Sequence, residues 1–302
     1  MNKTQVIKTI PAQIVNGFVT GGAGGNPAGV VLDADQLSES DMLNIAGKIG
    51  LSETAFVSSS ETEGFKLDFF TPNRRIAHCG HATIATFSYL SELGRVSEGE
   101  TSKETIDGPR KILIKNGAAF MEQLAPKYRV AADWLKDDVT MADLLQSIGI
   151  TEGDLDHRIG PILANTGNSF IVVGVKDKES LRGIKPNFER ISVISEKLDL
   201  IGLYIFTTDT DDKEKDATTR MFAPRYAINE ESATGMAAGP LACVLHDYLK
   251  SGKSTYLIEQ GRLMDPASPS LITVDLWVEQ GRIQKLMAGG LGKASQSLSI
   301  NY

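Results

Sequence analysis

Cys79, Gly80 and His81 are the first residues whose types and spacing suit chemistry. The aromatic segment 68–71 before them favours a strand, and the small and apolar residues from Ala82 onward predict a helix. The three residues would therefore lie at a helix N-terminus, where unpartnered backbone N–H groups carry partial positive charge. Such a site suits a carboxylate or a phosphate, and the glycine allows its close approach.

Glu53 is a second candidate because it stands in the otherwise uncharged segment 51–57. The alternation of a strand would place it on the same face as Ala55 and Val57, which are apolar. Burial disfavours an ionised carboxylate, so a carboxyl group on an apolar face can both take and give a proton near neutrality. An ion-paired or edge-exposed glutamate explains the pattern equally well.

The histidines and cysteines do not have the spacing of a metal site. His78 and His81 flank Cys79, but the other two histidines stand alone, and the paired spacing of known metal sites is missing. We therefore expect no metal. Cys79 would be a nucleophile only with a base and a lowered pKa, and a small buried side chain is the simpler interpretation.

The amino-acid composition argues against several classes of function. The chain has 302 residues, an apolar fraction of 41%, a net charge of −7 and a pI of about 5.3. This acidic balance argues against nucleic acids and anionic membranes as partners. No apolar run reaches the ~20 residues of a membrane helix, and no signal peptide is visible. Two cysteines make no disulfide framework, so we expect a cytoplasmic enzyme or binding protein.

Strands with a few helices, rather than regular β-α-β alternation, dominate the remaining pattern. This favours an α+β fold with mixed or antiparallel sheets. Asn116-Gly117 is the strongest hairpin signal. Residues 97–107 are polar and acidic and are expected to form a surface loop. Helices are predicted at residues 39–49, 138–148, 188–198 and 233–249.

The second half of the chain resembles the first. Residues 25–31 have a counterpart in 167–173, and Phe-Thr-Pro at 70–72 has one in Phe-Ala-Pro at 222–224. In each half a short turn and an apolar helix follow the proline. Two similar domains would direct two helix N-termini at one ligand and so clamp a carboxylate. Chance similarity of short motifs is the alternative.

Together these motifs resemble the PhzF family, the phenazine biosynthesis-like isomerases related to diaminopimelate epimerase. The matching segments follow the family order over most of the chain: 25–31, 52–57, 70–72, 79–83, 220–224, 233–235 and 258–261. The resemblance implies two similar domains, each a β-barrel-like sheet around a central helix, with the active site between them. It implies domains at 1–124 with a C-terminal return of about 286–302, and at 125–285.

The resemblance also implies roles for single residues. Glu53 falls on the catalytic acid/base of the family, and His81 on the histidine of the Cys-Gly-His turn. Backbone amides of Gly80 and His81 in one domain, and of Gly235 and Met236 in the other, would hold the carboxylate of a small substrate. No metal and no organic cofactor are implied, and a homodimer is compatible with the family.

Three departures separate this chain from the family pattern. Glu231, also expected near the substrate, replaces an aspartate. Met236 stands where the phenazine enzyme has a serine and cannot relay a proton. Ser232 stands where the epimerases have a second cysteine, so racemisation by two thiols is not expected.

We therefore expect a cofactor-independent isomerase or epimerase that acts through Glu53, with His81 orienting the substrate or Glu53. The helix ends would stabilise developing negative charge. A catalytically inactive carboxylate-binding protein is the alternative, which Glu231 and Met236 would suit. An epimerase with Cys79 as one base is a third possibility.

Overall fold

The computed structural model describes residues 8–302, which form 17 strands and six α-helices. The strands are β1 (Thr9–Gly17), β2 (Asn26–Val31), β3 (Thr54–Ser58), β4 (Phe65–Phe70), β5 (Arg75–Ile76), β6 (Gly99–Glu104), β7 (Arg110–Lys115), β8 (Ala118–Leu124), β9 (Lys127–Val130), β10 (Ile162–Asn165), β11 (Ser169–Gly174), β12 (Gly202–Thr207), β13 (Ala217–Phe222), β14 (Thr255–Gln260), β15 (Ser270–Glu279), β16 (Arg282–Gly290) and β17 (Gly292–Asn301). The helices are α1 (Glu39–Ile49), α2 (Gly80–Glu92), α3 (Met141–Ile148), α4 (Lys178–Arg182), α5 (Phe188–Leu198) and α6 (Gly235–Asp247). Over residues 8–302, no helix is long and apolar enough to cross a membrane.

The chain divides into two compact units. Unit 1 comprises residues 8–22, Asn26–Met121 and Gly290–Tyr302, and unit 2 comprises Ala23–Gly25 and Glu122–Gly289. The C-terminal segment belongs to unit 1 because β17 pairs antiparallel with β1 along the full length of β1.

From β2 to β6, apart from the two-residue strand β5, the order of elements in unit 1 is strand, helix, strand, strand, helix, strand. Strands β2 and β3 are parallel with α1 between them, β3 and β4 are antiparallel, and β4 and β6 are parallel with α2 between them. The predicted helix α1 is confirmed: Ser38 and Asp41 form a capping box, and Gly50 ends the helix in the left-handed conformation.

Helix α2 is the central helix of unit 1, and nine of its 13 residues are buried. Small residues let the surrounding strands approach it closely. A Cβ atom at Gly17 would lie 3.0 Å from the carbonyl oxygen of His81, and one at Gly292 would lie 2.6 Å from the Cβ of Ser88. A helix buried on nearly all sides carries no polar stripe, which explains its mixture of alanine, threonine and apolar residues.

Unit 2 repeats the order and the pairing of unit 1, which confirms the internal repeat. Strands β11 and β12 are parallel with α5 between them, β12 and β13 are antiparallel, and β13 and β14 are parallel with α6 between them. Helix α6 is the counterpart of α2, with ten of its 13 residues buried. The first helical residues, Gly80 and Gly235, are therefore equivalent positions.

One sequence-based prediction was wrong. Residues 97–107 do not form a surface loop, because β6 pairs parallel with β4 and antiparallel with β7. Lys103 on this strand is completely buried. The sequence did not predict this strand because its side chains are mostly polar. Backbone pairing with β4 and β7, rather than apolar side chains, holds it in the sheet. The predicted hairpin at Asn116-Gly117 is confirmed, with both residues at positive φ between β7 and β8.

Gly261 and Gly252 offer a matched pair for testing the close packing beside α6. Both have positive φ, 80° and 69°. An alanine Cβ at 261 would lie 2.1 Å from the carbonyl oxygen of Ser268 and 2.6 Å from that of Ser232, whereas one at 252 would meet nothing within 4 Å. We predict that Gly252→Ala lowers the free energy of unfolding by roughly 1–2 kcal/mol, the cost of the left-handed conformation. Gly261→Ala should cost about 1–3 kcal/mol more from overpacking, as measured by urea denaturation. Equal losses would contradict this packing.

Candidate functional site

Glu53 lies directly before β3, inside unit 1. Its backbone oxygen accepts a hydrogen bond from the Gly29 amide at 3.0 Å, which continues the parallel pairing of β2 and β3. The residue is 9% exposed, and the strand that follows is buried on both faces. The carboxylate is therefore buried, and its contact with His81 also fits the ion-paired alternative, so its role stays a prediction.

His81 brings its imidazole to Glu53 from the second position of α2. Its Nε2 lies 3.4 Å from Oε2 of Glu53, and the histidine is only 5% exposed. On the other side of the ring, Nδ1 lies 3.5 Å from Sγ of Cys79. Cys79 directly precedes the helix and has extended backbone angles. The three side chains form a series from thiol to imidazole to carboxylate.

The protonation of Cys79 determines how this series is polarised. Burial raises the pKa of the Cys79 thiol, and the nearby Glu53 carboxylate raises it further, while His81 opposes both effects. The thiol therefore keeps its proton at neutral pH and can donate it toward Nδ1 of His81. If Nδ1 accepts that hydrogen bond, the imidazole can present an N–H at Nε2 to the Glu53 carboxylate. At 3.4 Å, the contact between Nε2 and Oε2 is longer than most hydrogen bonds to charged groups.

A metal ion would need these same three groups as ligands, and one ligand atom from each lies within 4.8 Å of the others. The same three groups also suit proton transfer, because Cys79 and Glu53 contact different nitrogens of the His81 ring. The expected lack of a metal and of a cofactor stays a prediction.

The start of α2 carries the backbone amides that are expected to bind an anion, and that binding stays a prediction. Gly80 and His81 are its first two residues, and the first four amides of a helix have no intrahelical acceptor. Within α2, which is described in full, no acidic side chain occupies the first turn. The partial positive charge of the helix start is therefore not neutralised within the helix itself.

Helix α6 gives unit 2 a similar start, built from different side chains. Gly235 is its first residue and Met236 its second, and Thr234 precedes them. The Thr234 hydroxyl donates to Oε2 of Glu231 at 2.7 Å. Gln260 accepts a hydrogen bond from the Thr234 amide at 3.1 Å and donates to the Glu231 carbonyl oxygen at 2.7 Å. The structure thus gathers Glu231, Gly235 and Met236 at one helix start, and their contact with a substrate stays a prediction.

Sequence reasoning missed the side chains that fix these two helix starts. Gln260 belongs to a matching motif but was given no role, although a glutamine beside apolar Tyr256 and Ile258 in one strand is a signal for a buried amide. Lys103 was assigned to a loop. Its Nζ donates to the Thr83 hydroxyl at 2.5 Å, and that hydroxyl donates to the Cys79 carbonyl oxygen at 2.6 Å.

Both thiols should resist alkylation in the native protein. Cys79 and Cys243 are buried, and burial raises the pKa of each thiol, so the reactive thiolate is scarce at pH 7. We predict that iodoacetamide at pH 7 labels neither cysteine until urea unfolds the chain, as read by mass spectrometry. Rapid labelling of native Cys79 would show a thiolate and contradict the proposed polarisation of the series.

Residues 15–294 match the family model described as phenazine biosynthesis-like protein, PhzC-PhzF. An uncharacterised isomerase of Bacillus subtilis is 32% identical over 251 residues, which cover 81% of this chain and 84% of that protein. An uncharacterised isomerase of Escherichia coli K12 is 27% identical, covering 91% of this chain and 93% of that protein.

Solved structures show the same fold. The phenazine biosynthesis protein of the PhzF family from Bacillus anthracis superimposes with a TM-score of 0.86 at 29% identity, covering 97% of this chain and 99% of that one. A hydroxyproline epimerase from Agrobacterium vitis gives a TM-score of 0.59 at 13% identity, covering 99% and 93%. The fold is therefore an α+β fold of the diaminopimelate epimerase type.

Proposed function

Because the chain belongs to the phenazine biosynthesis-like family, we propose that it moves a proton on a small carboxylate substrate through Glu53, without a cofactor. The family is isomerase-like, and the curated relatives named above carry the name isomerase. The observation that supports Glu53 most directly is its buried contact with His81, in which 3.4 Å separate Oε2 of the carboxylate from Nε2 of the imidazole.

In the proposed reaction, the Glu53 carboxylate removes a proton from a carbon next to an electron-withdrawing group of the substrate. The resulting carboxylic acid returns that proton to another position, so the substrate is isomerised and no atoms are lost. His81 donates a hydrogen bond from Nε2 to the carboxylate before the transfer and orients it. The amides of Gly80 and His81 bind the substrate carboxylate and stabilise the negative charge that develops.

The second helix start is part of the same proposal. The amides of Gly235 and Met236 would bind a polar group of the substrate, with Glu231 held by Thr234 beside them. Met236 has no proton to relay, so the proposal gives the proton transfer to Glu53 alone. Cys79 polarises His81 in this scheme and does not touch the substrate.

Solvent exchange tests the role of Glu53. A library of small carboxylic acids is incubated with the protein in D2O, and carbon-bound deuterium is measured by NMR. We predict incorporation by the wild type and a loss of roughly 10²–10⁴-fold in rate for Glu53→Gln, the usual contribution of a positioned acid/base. The matched control is Glu61→Gln, an exposed carboxylate before β4, which should exchange as the wild type does. Exchange by Glu53→Gln at the wild-type rate would contradict the proposal.

Two further outcomes separate the other functions. Stabilisation by carboxylic acids in a thermal unfolding experiment, without exchange of any of them, would identify a binding protein. Loss of exchange in Cys79→Ala with exchange retained in Glu53→Gln would identify an epimerase that uses the thiol. Binding is mapped independently by NMR, since an anion at the helix starts should shift the amide signals of Gly80, His81, Gly235 and Met236.

We further propose a cytoplasmic location and a homodimer, which the acidic composition and the family suit. Sedimentation equilibrium of the purified chain gives its mass directly, and a value equal to that of a single chain would exclude the dimer.

A further inference from the structure

Lys103 is a completely buried lysine that the proposed reaction does not use. It lies on β6 in unit 1, and its Nζ contacts three groups. It lies 2.5 Å from the Thr83 hydroxyl oxygen, 3.1 Å from Nδ1 of His78 and 4.8 Å from the centre of the Phe69 ring. Among residues 8–302, the side-chain contacts of Nζ are with these three groups, and none of them is a carboxylate.

Two of these partners lead to the anion-binding turn. The Thr83 hydroxyl accepts from Lys103 and donates to the Cys79 carbonyl oxygen at 2.6 Å, and the Thr83 amide donates to the same oxygen at 3.3 Å. His78 directly precedes Cys79. The ammonium group therefore ties both ends of the segment 78–83, which carries Gly80 and His81.

A buried cation without a carboxylate destabilises a fold, because desolvation is not offset by an ion pair. The environment of Lys103 reflects that cost. Burial lowers the pKa of Lys103 to about 7; Cys79 and Asp107 raise it slightly, and Arg110 lowers it. His78 stays neutral, since burial and the charge of Lys103 both hold its pKa well below the usual range.

We propose, on the basis of the proposed function, that Lys103 is a positioning residue: its ammonium group fixes the turn that carries Gly80 and His81 and adds a positive charge behind the bound carboxylate. The substrate anion then supplies the negative charge that Lys103 lacks in the free protein. The other charged or titratable groups that face Lys103 are His78 and Cys79 from the turn, Asp107 from the β6–β7 loop and Arg110 from β7.

The lowered pKa of Lys103 makes the stability of the fold depend on pH. The unfolded chain keeps the lysine proton up to the ordinary pKa of 10.5, whereas the folded chain releases it near 7. Between these values the unfolded state binds more protons, so folding becomes more favourable as the pH rises. We predict that the wild type gains stability relative to Lys103→Met between pH 7 and pH 10 in urea denaturation. No change in the difference between the two proteins would contradict a lowered pKa of Lys103 in the folded chain.

Anion binding tests the coupling itself, with benzoate as the probe because its carboxylate stays ionised throughout the measurement. Lysine side chains are labelled with ¹³C, and the Lys103 signal is assigned by its absence from Lys103→Met and from Lys103→Arg. We expect benzoate to raise the pKa of Lys103 in the wild type. By linkage, benzoate should bind more weakly as the pH rises through 7. The total loss of affinity should be about tenfold for each unit by which benzoate raises the pKa of Lys103.

The variants separate positioning from packing. Lys103→Arg keeps its charge at every pH tested, so its benzoate affinity should not fall between pH 6 and pH 8. Lys103→Met should bind weakly over the whole range. The matched control Lys111→Met removes an exposed lysine of β7 and should behave as the wild type does.

The outcomes distinguish this inference from the proposed function. If benzoate shifts the amide signals of Gly80 and His81 but leaves the pKa of Lys103 unchanged, the inference is wrong and the anion site stands. If benzoate shifts none of these amide signals at any pH, the anion site and the inference both fail. A raised pKa together with pH-independent binding by Lys103→Arg supports the inference.

Discussion

The contact between the Glu53 carboxylate and the His81 imidazole is the constraint on which unit 1 depends. Both side chains are buried, and each would be costly to bury without a polar partner. Their meeting requires β3 to begin beside β2 and α2 to begin where β4 and β5 end. The close packing of β1 and β17 around α2 fixes the position of the helix start. Glycines in both strands lie directly against the helix, so it cannot shift toward them.

Units 1 and 2 share one β-α-β-β-α-β arrangement but differ at the start of the central helix. Each central helix starts with a glycine, and in each unit a polar side chain from the following strand ties the preceding turn. That side chain is Lys103 in unit 1 and Gln260 in unit 2. An amide satisfies the backbone without a net charge, whereas an ammonium group adds one. The two helix starts are therefore alike in geometry and different in electrostatics, with the charged one beside Glu53.

Recurring motifs predicted the repeat, and local residue patterns predicted the α+β class and most elements. The exact predictions of α1 and α5 are examples. The predicted loop at 97–107 failed because β6 is held by backbone pairing, which polar side chains do not reveal. The site was predicted only in part. Alternation placed Glu53 on a buried face, but its contact with His81 joins two elements, and no spacing encodes such a contact. The approach of Cys79 to the same imidazole lies within one turn of the chain and was not predicted.

A double-mutant cycle on Glu53 and His81 tests most directly whether the two residues act as one unit. Rates of solvent deuterium exchange are compared for the wild type, Glu53→Gln, His81→Asn and the double variant. If His81 works by orienting the Glu53 carboxylate, its replacement costs little once Glu53 is gone, and the double variant should be about as slow as Glu53→Gln alone. Losses that multiply would show that the two residues act independently and would contradict the account.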